Sequence, residues 1–95
     1  MAQRKEKSRK GRLLVVEKEW LEDLRWWVDT NRKTALRIFD LVEAIMRDPF
    51  DGIGKPEPLR HLGPNLWSRP ITSEYRLVYL ATDERVHLLQ ARYHY

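Results

Sequence analysis

Between Arg32 and Asp48 the chain repeats its apolar residues at helical spacing and then meets a proline. Ala35, Ile38, Phe39, Val42, Ile45 and Met46 fall at i, i+3, i+4, i+7, i+10 and i+11, with Arg32, Lys33, Arg37, Asp40, Glu43 and Arg47 on the other side. Pro49 ends the run, because the residue before a proline is turned away from the α region. The composition then changes. Pro49, Gly52, Gly54, Pro56, Pro58, Gly63 and Pro64 fill a loop-rich stretch, and short strand-like segments follow. A helix with one face to bury therefore precedes a set of short strands, and 95 residues allow one core between them.

The remaining elements follow from the same periodicities. Leu13-Leu14-Val15-Val16 is short, apolar and β-branched, and reads as a buried strand. From Glu17 the pattern turns helical, with Trp20, Leu21, Leu24, Trp27 and Val28 on one stripe and Trp26 outside it, left for a partner or a second helix. Asp29-Thr30-Asn31 breaks this helix and offers capping oxygens to the next. Downstream, Leu66–Thr72, Tyr75–Ala81 and Val86 to about His94 read as strands, and the short turns between them make them antiparallel. The expected fold class is α+β: a short N-terminal strand, two antiparallel helices, then an antiparallel sheet. Residues 13–95 form the expected single domain, behind a basic, disordered leader at residues 1–12.

Charge is unevenly spread. The net +4 divides into +5 over residues 1–12, −3 over 13–51 and +2 over 52–95. The body is close to neutral, so a polyanion-binding reading rests mainly on the leader, whose attraction would be unspecific and salt-sensitive. Cysteine is absent, which removes disulfides and thiolate chemistry. No apolar run approaches a membrane span and no secretory leader precedes the domain, so a soluble cytoplasmic protein with no membrane partner is expected.

Three residues stand out chemically. Glu57 lies between Pro56 and Pro58, which stiffen the loop around it; the plain alternative is a solvated loop glutamate. Arg76 opens an alternating strand, and on periodicity alone a solvent-facing strand arginine is the better reading. His94 sits between Tyr93 and Tyr95 beside Arg92 and belongs to no helix or core pattern. The three histidines, His61, His87 and His94, lack metal-ligand spacing, and no phosphate-cradling glycine loop opens a helix; no metal or cofactor is expected. An acid, a histidine and arginines without a metal suit RNA cleavage by attack of a 2′-hydroxyl on the adjacent phosphorus. That reaction needs a base, an acid and a cation for the phosphorane charge.

Pro49-Phe50-Asp51-Gly52, Gly54-Lys55-Pro56-Glu57-Pro58-Leu59, Trp67-Ser68-Arg69, Arg76-Leu77-Val78-Tyr79 and Arg92-Tyr93-His94-Tyr95, over roughly Leu13 to Tyr95, closely resemble the YoeB/Txe toxins of the RelE superfamily. The resemblance implies a RelE-like microbial RNase-type fold and a homodimer. It also implies a ribosome-dependent endoribonuclease that cuts mRNA in the A site of the small subunit and arrests translation. Glu57 matches the family's general base, His94 its general acid, Arg76 the arginine on the scissile phosphate and Tyr95 the residue that orients the nucleotide. Lys55, Arg60, Arg69, Arg92 and Tyr93 are the expected supporting RNA and phosphate contacts. A cognate antitoxin of the YefM/Phd type is implied, with operator DNA bound only by the toxin–antitoxin complex.

The sequence departs from the family pattern at Pro70, where a second arginine is common, and at Tyr75, where histidine is common; Arg60 stands for a frequent lysine. Proline brings neither charge nor N–H. Two other readings stay open: a degenerate toxin that serves mainly as an antitoxin-binding corepressor, and a free-standing RNase, which the near-neutral body disfavours. A terminal His94 also leads us to expect that a C-terminal tag depresses activity more than an N-terminal one.

Overall fold

A computed structural model describes residues 11–94; residues 1–10 of the expected leader, and Tyr95, lie outside the described residues. The elements are β1 (Leu13–Val16), α1 (Lys18–Thr30), α2 (Arg32–Arg47), β2 (Glu57–Pro58), a 3-10 turn at Arg60–Leu62, β3 (Leu66–Pro70), β4 (Tyr75–Ala81) and β5 (Arg85–His94). Asn31 alone separates the helices. Its N–H bonds to Trp27 O, ending α1, while its side chain accepts from the Thr34 N–H at 3.1 Å and starts α2. Asp48 is extended, as a residue ahead of proline should be, and α2 stops there.

The five strands lie in the order β1-β5-β4-β3-β2. The expected antiparallel meander is present in β3, β4 and β5, but β1 joins it parallel, pairing Leu13 with Arg85 through Val16 with Leu88, so the sheet is mixed. β1 is also an edge rather than a buried strand: Leu13 and Leu14 are 64% and 42% exposed. Periodicity reports the strand, not which neighbours it has, and the partner here lies some seventy positions away in sequence. The proline-rich segment around Glu57 reads as loop, and here the structure differs. β2 is a two-residue edge strand, with Glu57 opposite Ser68 and Pro58 opposite Trp67, and proline is tolerated there because an edge leaves one side unpaired.

The core fills the space between the helices and one face of the sheet. Trp20, Trp27, Ala35, Ile38, Leu41 and Ile45 meet Ile71, Leu77, Tyr79, Ala81, Val86, Leu88 and Ala91. The buried side of α2 is rotated from the expected stripe: Leu41 is fully buried and Phe39 is 52% exposed. On α1, Leu21 and Val28 are likewise exposed while Trp20 and Trp27 are buried. Both helices carry an apolar arc wider than the face the sheet covers, so the pattern alone could not say which edge of the arc turns inward. Among the described residues, no helix is long and apolar enough to cross a membrane.

Candidate active site

Strand alternation sorts the candidate residues by face. On β4, Tyr75, Leu77, Tyr79 and Ala81 belong to the core, so Arg76 and Val78 point to the other side. Cross-strand partners share a face, and the pairs Glu57–Ser68, Ser68–Val78 and Pro70–Arg76 extend this second face across β2, β3 and β4. There the Arg76 Nε donates to Ser68 Oγ at 2.7 Å, and its Nη2 donates to Glu57 Oε1 at 2.8 Å. Ser68 is buried, the Arg76 side chain is only 10% exposed, and the Glu57 side chain is 54% exposed. A nearly buried guanidinium thus rests on a serine and presents a half-open carboxylate to solvent. With its carboxylate half in water, the pair adds little to stability. Its effect is to fix the carboxylate in place.

The loop entering β2 is fixed from the core side. Arg69, expected to bind phosphate, is fully buried on the opposite face from Arg76. Its Nη1 donates to Ile53 O at 2.8 Å, its Nη2 to Asp48 O at 2.7 Å and Asp51 O at 2.9 Å, and its Nε to Tyr79 Oη at 3.2 Å. Tyr79 in turn donates to Pro49 O at 2.6 Å. Burial raises the Tyr79 phenol above its ordinary pKa, outweighing the nearby guanidinium that pulls the other way. Arg69 and Tyr79 therefore clamp the carbonyls of the 48–53 loop. Gly54, at φ +85°, lets that loop pass close to Leu41 and Arg69, and Lys55 follows with a positive φ of its own. The turn delivers Pro56 and Glu57 to the sheet edge. Strand parity explains the correction at Arg69, since it is one residue from Ser68 and must face the other way.

The other expected residues divide between locations. Tyr93 is the cross-strand partner of Arg76 and lies in its row, as does Pro70. His94 is exposed and pairs with Tyr75, so it lies on the side of Tyr75 and not in the row of Arg76; the two rings meet edge to face, 5.4 Å apart. Arg92 leaves the face of Arg76 altogether and places its guanidinium 3.8 Å over the Trp26 ring. Lys55 is exposed, and Arg60, on the 3-10 turn, lines a surface cleft with Phe50, Pro58 and Trp67. Tyr95 lies outside the described residues. Ser68 was not singled out from sequence, although alternation with Pro70 and pairing to the Arg76 strand would have put it on this face. Among the described residues no three metal-ligating side chains gather.

Comparison with known proteins gives a consistent picture. Residues 16–95 match the family model of the YoeB-like toxin of bacterial type II toxin–antitoxin systems. The toxin RelK of Mycobacterium tuberculosis is 55% identical over 74 residues, which cover 78% of this chain and 87% of RelK. The YoeB dimer from Staphylococcus aureus superposes with a TM-score of 0.79 at 30% identity, over 88% of this chain and 98% of that one. The YoeB–YefM complex from the same organism gives 0.74 at 34% identity, over 88% and 99%.

Proposed function

Because this chain belongs to the YoeB-like toxins of bacterial type II toxin–antitoxin systems, we propose that it is a ribosome-dependent endoribonuclease that cuts mRNA in the A site and halts translation. The observation that carries the reading is the Ser68–Arg76–Glu57 chain, which holds a half-exposed carboxylate 2.8 Å from a nearly buried guanidinium.

In this reading Glu57 accepts the proton of the 2′-hydroxyl, and O2′ attacks the neighbouring phosphorus. Arg76 lies beside the carboxylate, where it neutralises charge on the phosphorane oxygens. The bond from phosphorus to the 5′-oxygen breaks, and that oxygen takes its proton from His94. The products are a 2′,3′-cyclic phosphate and a free 5′-hydroxyl, with no net change in protons. Tyr95 orients the nucleotide, Tyr93 borders the Arg76 row, and Lys55 and Arg60 supply outer phosphate contacts. No metal or cofactor enters this chemistry. Residues 13–95 act as one catalytic domain in the cytoplasm, where its substrate is, with residues 1–12 as an electrostatic leader.

A YefM-type antitoxin is the proposed partner and a homodimer the proposed free state, by extension from the Staphylococcus aureus YoeB–YefM complex and YoeB dimer. Operator DNA would be bound by the toxin–antitoxin complex rather than by the toxin. A second reading has one specific observation behind it. Pro70 sits opposite Arg76, where the family pattern favours a second arginine, so this copy would be an attenuated nuclease acting mainly as a corepressor with its antitoxin.

Primer-extension mapping of mRNA on programmed ribosomes separates the two, using untagged protein beside His94→Ala. A cut in the A-site codon that the variant loses supports the nuclease. No cut from folded, dimeric wild-type protein sinks it and favours the corepressor.

A further inference from the structure

Helix α1 grips the last strand at one residue. Between the pairs Arg76–Tyr93 and Val78–Gln90 the register shifts, so that Leu77 on β4 faces two residues, Ala91 and Arg92, on β5. This is a bulge, which re-aims the residues beyond it. Both backbone groups of Ala91 are taken by α1: its N–H donates to Asp23 Oδ2 at 2.8 Å, and its carbonyl accepts from Trp27 Nε1 at 2.7 Å. The next residue, Arg92, stacks over Trp26, its Nε buried without a hydrogen-bond partner among the described residues. Trp27 continues the chain of contacts through its ring, which meets Tyr75 edge to face at 5.6 Å, and Tyr75 meets His94 in the same manner at 5.4 Å.

We infer that Asp23 and Trp27 are positioning residues for His94: the helix holds the bulge beyond which Tyr93 and His94 pair with β4, and Tyr75 transmits that hold to the imidazole. The inference rests on the proposed role of His94 as general acid. The bulge is the site of control because its backbone is bonded to side chains of α1, which fix the position of Ala91 relative to the helix. Three residues further on, small errors in that position become displacements of the ring. A proton donor displaced by about 1 Å loses up to about a hundredfold in rate. Trp26, unassigned by the helical stripe, gains a place in the same device as the platform for Arg92.

The test uses the full chain with three substitutions. Trp27→Phe keeps an aromatic ring at the position facing Tyr75 and removes the N–H together with the five-membered ring that carries it. Asp23→Ala removes the carboxylate, and Asp23→Asn restores an acceptor oxygen. Trp27→Phe and Asp23→Ala are expected to lower kcat on programmed ribosomes by about tenfold or more with KM within about twofold, and Asp23→Asn to recover most of the rate. The His94 Hε1 resonance, sensitive to the Tyr75 ring, is expected to move in the two damaging variants and return in Asp23→Asn. Lower melting temperatures with an unmoved resonance and unchanged kcat would reduce Asp23 and Trp27 to staples and overturn the inference. If neither wild-type nor His94→Ala protein cuts, the nuclease reading fails; if both cut alike, only the role of His94 as general acid fails; in either case the resonance still decides whether α1 positions the ring.

Discussion

Arg76 on β4 reaches past the whole of β3 to bond Glu57 on β2, resting on Ser68 as it crosses. A carboxylate on a two-residue edge strand is thereby tied to the middle of the sheet. The tie is directional: the Nε and an Nη of one planar guanidinium are used at once, so its aim is set by two points and not one.

Lysine cannot reproduce that fork. Arg76→Lys keeps the charge but offers one ammonium in place of two fixed donors, and the cleavage rate should fall by at least about tenfold. Ser68→Ala leaves the buried Nε without its acceptor and should cost about 1–3 kcal/mol of unfolding free energy in urea titration. A Ser68→Ala protein with unchanged stability and rate would show that serine is a spacer only.

Pro70 offers the opposite experiment. An arginine there would project from the partner position of Arg76. One added charge-assisted phosphate contact is worth about 1.5–3 kcal/mol, so Pro70→Arg should raise activity by roughly ten- to a hundredfold. Single-turnover cleavage measures it directly, and an unchanged rate would clear Pro70 of attenuating this toxin.

Arg69 should behave as a structural residue despite its charge. Arg69→Met leaves the carbonyls of Asp48, Asp51 and Ile53 without their donor, and a loss of at least about 3 kcal/mol is expected. Hydrogen exchange should show the 48–53 loop opening first. RNA binding lost without any loss of stability would restore Arg69 to a ligand role.

Tyr79 predicts the alkaline limit of the clamp. Its phenol must keep its proton to donate to Pro49 O, and burial lifts its pKa above the unfolded value. The folded state therefore holds this proton more tightly. The stabilisation is whole below about pH 10 and is lost as pH rises through the higher folded value. The difference in unfolding free energy between wild type and Tyr79→Phe should stay flat from about pH 6 to 9 and shrink above about pH 10. A difference that changes near neutrality would place the titration elsewhere.

Glu57 and His94 could be chosen from sequence because a proline-flanked glutamate and a histidine between tyrosines have no plain place in the pattern, whereas Arg76 fits an ordinary strand and was marked by the family motif. Their contacts could not. Arg69 and Arg76 look alike as basic strand residues, and only the parity of paired strands separates a loop clamp from a site residue. Phe39 and Leu41 exchange roles for a similar reason, since an apolar arc broader than its contact face leaves the rotation of α2 undetermined. β2 was invisible because two residues, one of them proline, carry no period. The parallel pairing of β1 is a contact between distant segments, and local pattern holds no trace of it. Trp26 was legible as an anomaly, and its partner Arg92 supplies the reason.

The strand order has a consequence for synthesis. β5 is the last described strand in the chain, yet it lies between β1 and β4 and gives Val86, Leu88 and Ala91 to the core. β1 has no other neighbour in the sheet. A nascent chain emerging from its N-terminus can form both helices early, but its sheet stays open until residues 85–94 clear the exit tunnel, because such distant pairings close last. Closure of the sheet is therefore tied to its last described strand, however early the helices form.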